Sequence, residues 1–536
     1  MPIIYTFYGK IIIILLLVAF TSHVWAKYRS EASLKTKGFI YIFLAITLAL
    51  RLLNIQNTEG DVDTSTWLSS AISINYYPDK LWKILNYTDS RPLTVLPILI
   101  PSWLGINLSY ALTNVVTILC WLGIIFYFYK SIALFIDAKR ALLITWTLCL
   151  FISTTWSLQH TAYNSEHISI FLITLATYLY VRYEKTKQTS GFQIFTLGTI
   201  LGSLIYAKFQ NAPMGLVIAA FAMLLTLRLK NYTFLALLIL GGILPTLLIN
   251  LVFIYYHKLS DFWINYFWNY LLYSYSTQFQ SLPTIERFNP IRIGKFILNV
   301  KSSRIYFFAL IPLTILGISY TLFRNRIASS FEKINGYFSV LMVATSLYAI
   351  GQSGNLFSHY ILYLFIPVLY CIAASIPYSN RKISYASILL LVLVSLIQAI
   401  YNVFTIPPES SSDKVAYETQ IIDQIRQHST DKDNIVIWGW VDRWYVQSNR
   451  ACGYRMPHSH HLFMKSDLYA HRIANFIGDM EENKPEIFID TMDSTYPMAK
   501  GLGKAHEYYA EVKAYIGSKY HLISTIDQVR IFKRNP

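Results

Sequence analysis

The run GFIYIFLAITLALRLLNI, residues Gly38–Ile55, is followed almost at once by TEGDVDTSTWLSS, residues Thr58–Ser70. The first stretch is largely apolar until Arg51 and Asn54 near its end, and it reads as a helix crossing a bilayer. The second sets three carboxylates, Glu59, Asp61 and Asp63, within five positions at the lip of that span. Ionisable groups at a membrane boundary are costly and need a partner or a task.

The rest of the chain supports the membrane reading. Of 536 residues, 54% are hydrophobic and 14% charged, and the mean hydropathy is +0.40. The 41 Tyr, 32 Phe and 12 Trp suit a protein that borders headgroups. Twelve segments read as spans: about 3–26, 38–55, 107–130, 141–157, 167–183, 192–207, 213–227, 232–256, 305–323, 337–350, 360–377 and 384–404. Alternate connections (KYRSEASLKTK, KSIALFIDAKR, RYEKTK, RLK, FRNRIASSFEK and NRK) are each net positive. Positive loops face the cytoplasm, so the acid-bearing loop falls on the outer side. The same rule accounts for much of the net charge of +16 without nucleic acid. The first apolar segment ends Val24-Trp25-Ala26 like a signal-peptide cleavage site. Removing it would invert every later loop, so it is expected to remain as a span.

These readings divide the chain into a transmembrane part, 1–404, with outer loops at about 56–106 and 257–304, and a small extracytoplasmic α/β domain, 405–536. Within the second loop, DFWINYFWNYLLYSY spaces its rings as an amphipathic helix lying along the interface. In the C-terminal part, NIVIWG and EIFID read as buried strands and HLISTI with VRIFKR as a terminal pair. Helices are expected around 413–429, 467–482 and 505–519. The four cysteines imply no disulfide framework, since only Cys452 lies in the polar C-terminal part.

The outer loops gather candidate chemistry: Glu59, Asp61, Asp63 and Arg91, then Glu166 and His167 where a span begins, then Lys208 and His359. Each has a plainer reading. Asp63, followed by Thr64, Ser65 and Thr66, is placed to cap a helix. Arg91 before Pro92 is placed to anchor its loop to headgroups, and Lys208 to snorkel from a span end. His359 is placed to sit as an interface histidine. In the C-terminal part Trp438, Trp440, Trp444 and Tyr445 offer rings to a glycan, at least two of them more naturally as core. His458, His460 and His461 with Cys452 invite a zinc reading that lacks a second ligand pair at finger spacing.

The order of these motifs resembles the GT-C superfamily, polytopic glycosyltransferases that use polyprenyl-phosphate sugars. The nearest likeness is to the protein O-mannosyltransferase and aminoarabinose transferase group. EGDVD stands where that family has an acidic pair after an early span, and SRPLTVLPILIPSWLG supplies its basic residue and prolines. YNSEHISIFLITLATYLY, LGSLIYAKFQNAP, SHYILYLFIP and IVIWGWVDRWY match later motifs in order. Val62 between Asp61 and Asp63 departs from the family's adjacent pair and leaves the choice of base open between them.

The resemblance implies an inverting single displacement at the outer face of a plasma (inner) membrane, from a polyprenyl-phosphate sugar to the hydroxyl of a lipid, glycan or protein. Asp63 or Asp61 is implied as the base, with Arg91, Lys208 and His359 on the donor phosphate. Glu166 and Glu59 are implied in orienting the acceptor or in holding a divalent cation; no cofactor is assigned beyond that. Three other readings compete: a transporter or flippase of glycolipid precursors, a ligase or polymerase using a pyrophosphate-linked carrier, and a non-catalytic receptor. No internal repeat supports a transporter, and the charged residues cluster at span ends rather than mid-membrane.

Overall fold

The computed structural model describes residues 6–29, 36–80, 91–271, 282–323, 329–376, 381–405, 417–463, 467–494 and 503–536. The end of the aromatic run at 272–275 and the first part of the expected 413–429 helix lie outside the described residues. Two compact units emerge. A bundle unit comprises Met1–Ile55, Asn114–Ile249 and Leu282–Glu409; a sheet unit comprises Gln56–Thr113, Asn250–Ser281 and Ser410–Pro536.

All twelve segments expected to span are helical. Among the described residues, eight helices are long and apolar enough to cross a membrane, and shorter apolar helices cover Gly38–Leu52, Pro92–Trp103 and Gly191–Ala207. Two of the twelve, Ala138–Thr154 and Ser165–Thr186, fall outside both groups. The first has 17 residues and opens on Lys139 and Arg140; the second carries Glu166 and Glu184 inside its ends. The chain is thus a multi-pass integral membrane protein, and helices suit that setting because they satisfy their own backbone polar groups.

The bundle packs around the Leu362–Ser375 helix, every residue of which is buried. Phe365 of that helix lies against Phe151, with ring centroids 4.4 Å apart. The first helix, Phe7–Arg29, joins the same core: Trp146 donates its indole N–H to Thr21 Oγ1 at 2.9 Å and packs on Phe43 at 4.7 Å. Gly198 and Gly202, four residues apart, let the Gly191–Ala207 helix touch the backbone of the Tyr232–Tyr255 helix. A Cβ at Gly198 would strike the Leu238 carbonyl oxygen, and one at Gly202 the Gly242 carbonyl oxygen. Small residues at this spacing are a common device for close helix approach in lipid.

The sheet unit holds five strands: β1 Asn434–Trp438, β2 Ala451–Cys452, β3 Ile487–Asp490, β4 Tyr520–Ile526 and β5 Val529–Arg534, in the order β2-β1-β3-β5-β4. β1 runs parallel to β2 and β3; β5 is antiparallel to β3 and β4. Val436 faces Phe488 and Ile437 faces Ile489 in register, the centre of a core that includes Trp438, Trp444 and Tyr445. Asp527 and Gln528 both take positive φ (45° and 63°), the geometry that closes a tight β4–β5 hairpin.

The Val62–Tyr76 helix is buried almost all round from Thr64 to Ile74. Its many hydroxyls are tolerated because Ser69, Ser70 and Ser73 donate back to the carbonyls of Ser65, Thr66 and Ser69. The described part of the run beginning at Asp261 is helical, passing from an α turn into a π turn at Ile264–Trp268, and buries Phe262 and Tyr266 on one face.

Gly202→Val forces a side chain into a backbone contact, and overpacking of that kind costs about 1–3 kcal/mol. The expected result is a lower thermal unfolding midpoint in detergent, with the exposed-site control Leu216→Val close to wild type. Equal midpoints for Gly202→Val and wild type would contradict the packing described.

Candidate functional site

The sequence-selected residues fall into two groups. Glu166, Lys208 and His359 meet in the bundle unit; Glu59, Asp61, Asp63 and Arg91 belong to the sheet unit.

In the bundle unit, Glu166 is the second residue of the Ser165–Thr186 helix and is 1% exposed. The helix N-terminus favours a carboxylate there. Lys208 closes the Gly191–Ala207 helix in extended conformation (φ −167°, ψ 129°), which turns its side chain away from the helical path. Its Nζ donates to Glu166 Oε1 and lies 4.8 Å from the Tyr360 ring centroid. Tyr363 donates its hydroxyl to the same Oε1 at 3.3 Å, and Ser165 reaches Oε2 at 3.2 Å. His359 Nε2 stands 3.8 Å from Oε1, its ring stacked on Phe357. Lys208 therefore does not snorkel: its side chain is 7% exposed and ion-paired. His167 is spent on structure, its Nδ1 accepting the Asn164 N–H at 3.1 Å.

In the sheet unit the helix cap belongs to Asp61, not Asp63. Asp61 Oδ1 accepts the Asp63 N–H at 3.0 Å, with Asp61 extended at φ −151°. Asp63 lies in the first turn and is half-buried. Arg91 precedes the Pro92–Trp103 helix and is 8% exposed, too enclosed for a headgroup anchor. Its carbonyl accepts the Thr94 and Val95 N–H groups at 3.0 and 3.1 Å.

Glu59 is held through both oxygens. Ser65 donates to Oε1 at 2.5 Å and Arg443 Nη1 to Oε2 at 2.8 Å. Arg443 also forks onto the buried Glu418, so one guanidinium serves two acids. Burial pushes the Glu59 carboxyl above its usual range, although Arg443 pulls it down. Three further contacts fix the acidic helix. Thr66 donates to Asp442 Oδ2 at 2.5 Å, and Ser73 accepts the Cys452 N–H at 2.8 Å. Asn434 also donates to the Tyr77 hydroxyl. Asp442 Oδ2 further takes His458 Nδ1 at 2.9 Å.

The aromatic and metal expectations resolve differently. Trp438, Trp444 and Tyr445 are core, 0% exposed; Trp440 is half-buried against His458 and His460, at 4.6 and 4.9 Å. Among the described residues, Cys452 and the three histidines form no group able to share an ion; Asp490, His506 and Glu507 do, with ligand atoms within 4.8 Å of one another. That group can hold a metal, but Arg530 already serves the same acids, donating to Asp490 Oδ2 at 2.8 Å and to Glu507. Arg443, Tyr363 and Asp442 were not singled out from sequence. Arg443 and Asp442 sit within the quoted IVIWGWVDRWY and Tyr363 within SHYILYLFIP, so residue type at those motifs was the available signal.

These helices with a mixed-sheet C-terminal domain define a polytopic membrane protein. No family model and no curated protein matches the sequence. Among solved structures, ArnT from Cupriavidus metallidurans bound to undecaprenyl phosphate superposes with TM-score 0.54 at 12% identity, over 92% of this chain and 98% of that one. The Archaeoglobus fulgidus oligosaccharyltransferase in the apo form gives 0.45 at 13% identity, over 91% and 73%. The fold of this chain is ArnT-like.

Two tests follow from the ion pairs. Glu166→Gln and Lys208→Met each strand a buried charge and are expected to cost about 3–5 kcal/mol, while the double variant costs less than their sum. A denaturation cycle in detergent that returns simple additivity would contradict the pairing. For Glu59, a raised folded pKa means its contribution is full below the unfolded value of 4.5 and is lost as pH rises through the folded value. Glu59→Gln is therefore expected to flatten the fall in stability over that window, read as the thermal midpoint against pH. An unchanged slope would place the titration elsewhere.

Proposed function

We propose that the protein is a membrane glycosyltransferase that moves a sugar from a polyprenyl-phosphate donor to an acceptor hydroxyl, with inversion. The observation that supports this best is the enclosed Glu166–Lys208–His359–Tyr363 cluster in a chain of ArnT-like fold. A buried cation fixed at the end of a helical bundle is what a departing lipid phosphate requires.

In this reading the acceptor oxygen attacks the anomeric carbon as the bond from that carbon to the phosphate oxygen breaks. The electron pair leaves on the phosphate, and the hydroxyl proton passes to a carboxylate. Asp63 takes that role over Asp61, because Asp61 would have to release the helix cap to reach a substrate. Lys208 and His359 meet the phosphate charge, with Arg91 as a further phosphate ligand. Glu166 orients Lys208. Glu59, with both oxygens engaged, clips the acidic loop to Arg443 rather than touching the acceptor or a metal. In this reading residues 1–404 form the catalytic membrane part and 405–536 a domain on the extracytoplasmic side of an inner membrane.

The test is release of polyprenyl phosphate from a panel of polyprenyl-phosphate sugars by the purified protein in lipid, with membrane extract as the acceptor source. Asp63→Asn is expected to lower turnover about 10²–10⁴-fold, with donor binding retained. Turnover that survives both Asp61→Asn and Asp63→Asn would remove the acidic loop from the chemistry, and no turnover of any donor would sink the transferase reading.

A further inference from the structure

The segment between the long Tyr232–Tyr255 and Arg304–Phe323 helices contains a ten-residue helix, Pro290–Asn299. Asn289 caps it, accepting the Ile291 and Arg292 N–H groups at 3.0 and 3.4 Å. Ile293 and Ile297, one turn apart, are buried on its inner face, whereas Ile291 is 68% exposed. Arg292 and Lys295 follow one another down the same helix, three residues apart.

Beside this helix lies a cavity of about 530 Å³, lined by Asn289, Arg292 and Lys295 on its polar side and by Ile291, Phe296 and Leu356 on its apolar side. No carboxylate is among its lining residues. Glu286, the nearest acid in sequence, takes the Asn289 amide at 3.4 Å and does not line the cavity. Arg292 donates Nη2 to the Gly354 carbonyl at 2.6 Å, while its Nη1 is buried with no hydrogen-bond partner among the described residues. Two cations, an unsatisfied guanidinium N–H and no acid make a site for an anion. The planar fork of arginine and the point charge of lysine suit phosphate.

We propose that this cavity binds the phosphate headgroup of an anionic bilayer phospholipid. The apolar wall decides for a lipid over a free phosphate, because Ile291, Phe296 and Leu356 would have nothing to cover on an inorganic ion. Ile285, 81% exposed just before the helix, extends the same apolar margin. A basic amphipathic helix next to a membrane span is the usual place for such a contact. Occupancy also has a mechanical consequence. Arg287 donates to the Gln352 carbonyl at 3.3 Å, and Arg292 to that of Gly354. The lipid therefore stiffens the stretch that enters the Ser358–Ile361 turn carrying His359. The proposal does not rest on the transferase reading.

The experiment is native mass spectrometry of the full chain released from nanodiscs of mixed phosphatidylglycerol and phosphatidylcholine, comparing wild type with Arg292→Gln and Lys295→Gln. Wild type is expected to retain phosphatidylglycerol in preference, and each variant to lose about fivefold of that preference, the worth of one cation near anionic lipid. Lys295 is exposed, so Lys295→Gln tests the charge even if Arg292→Gln disturbs the Gly354 contact. Equal retention of both lipids by wild type, or undiminished preference in Lys295→Gln, overturns the proposal. Displacement of phosphatidylglycerol by inorganic phosphate at equal concentration would make this a small-anion site and overturn the lipid assignment.

Discussion

A carboxylate at 1% exposure inside a helical bundle is tolerable only with a cation and hydrogen bonds around it. Glu166 meets that condition with groups from three places in the sequence: Lys208 at the end of one helix, His359 in a short turn and Tyr363 at the start of another. Satisfying one buried charge therefore fixes where several helices begin and end. The other end of the same helix shows the contrast. Glu184 is also buried, but its partners Lys187 and Arg228 are 40% and 45% exposed, so water shares in the pairing. That end is closed by ordinary surface cations. The Glu166 end encloses its cation with it.

The acidic loop is governed by a different economy of charge. Arg443 stands between Glu59 and Glu418, and two acids on one guanidinium leave the buried trio short of positive charge. Burial raises the Glu59 carboxyl above its usual range even though Arg443 pulls it down. The acidic helix gains its rigidity from hydrogen bonds of its own hydroxyls, with Thr66 on Asp442, Ser73 on the Cys452 N–H and Tyr77 on Asn434. Substitutions on the β1–β2 connection thus act on the helix that carries Asp63, through contacts more than 350 residues apart in sequence.

What could be read from sequence follows the range of the interactions. Apolar runs report helices directly, because a span needs its apolar residues contiguously, and Tyr232–Tyr255 or Arg381–Thr405 appear close to where composition puts them. The strands Asn434–Trp438 and Ile487–Asp490 are legible as short apolar runs rich in Ile and Val. The two-residue β2, Ala451–Cys452, carries no pattern of its own and exists only by pairing with β1. Glu166, Lys208 and His359 were legible as polar residues at span ends, but their partnership was not. Nor was the choice of Asp61 over Asp63 as cap, since both precede the same helix and backbone geometry decides between them. The burial of Val62–Tyr76 has no apolar pattern to announce it, because back-bonding to the preceding turn satisfies its hydroxyls.

A cation held before the substrate arrives has a catalytic meaning on the transferase reading. Fixed charge stabilises a leaving group best when it need not reorganise as the bond breaks. The Lys208 stem is immobilised by burial, and its Nζ is pinned between Glu166 and the Tyr360 ring. Glu166 holds the ammonium through Oε1, so the charge is positioned before a phosphate arrives. A lysine free to swing would bind phosphate as well in the ground state and lose the advantage at the transition state. By this logic Glu166 serves turnover by restraint, and its loss would fall more heavily on the chemical step than on donor binding.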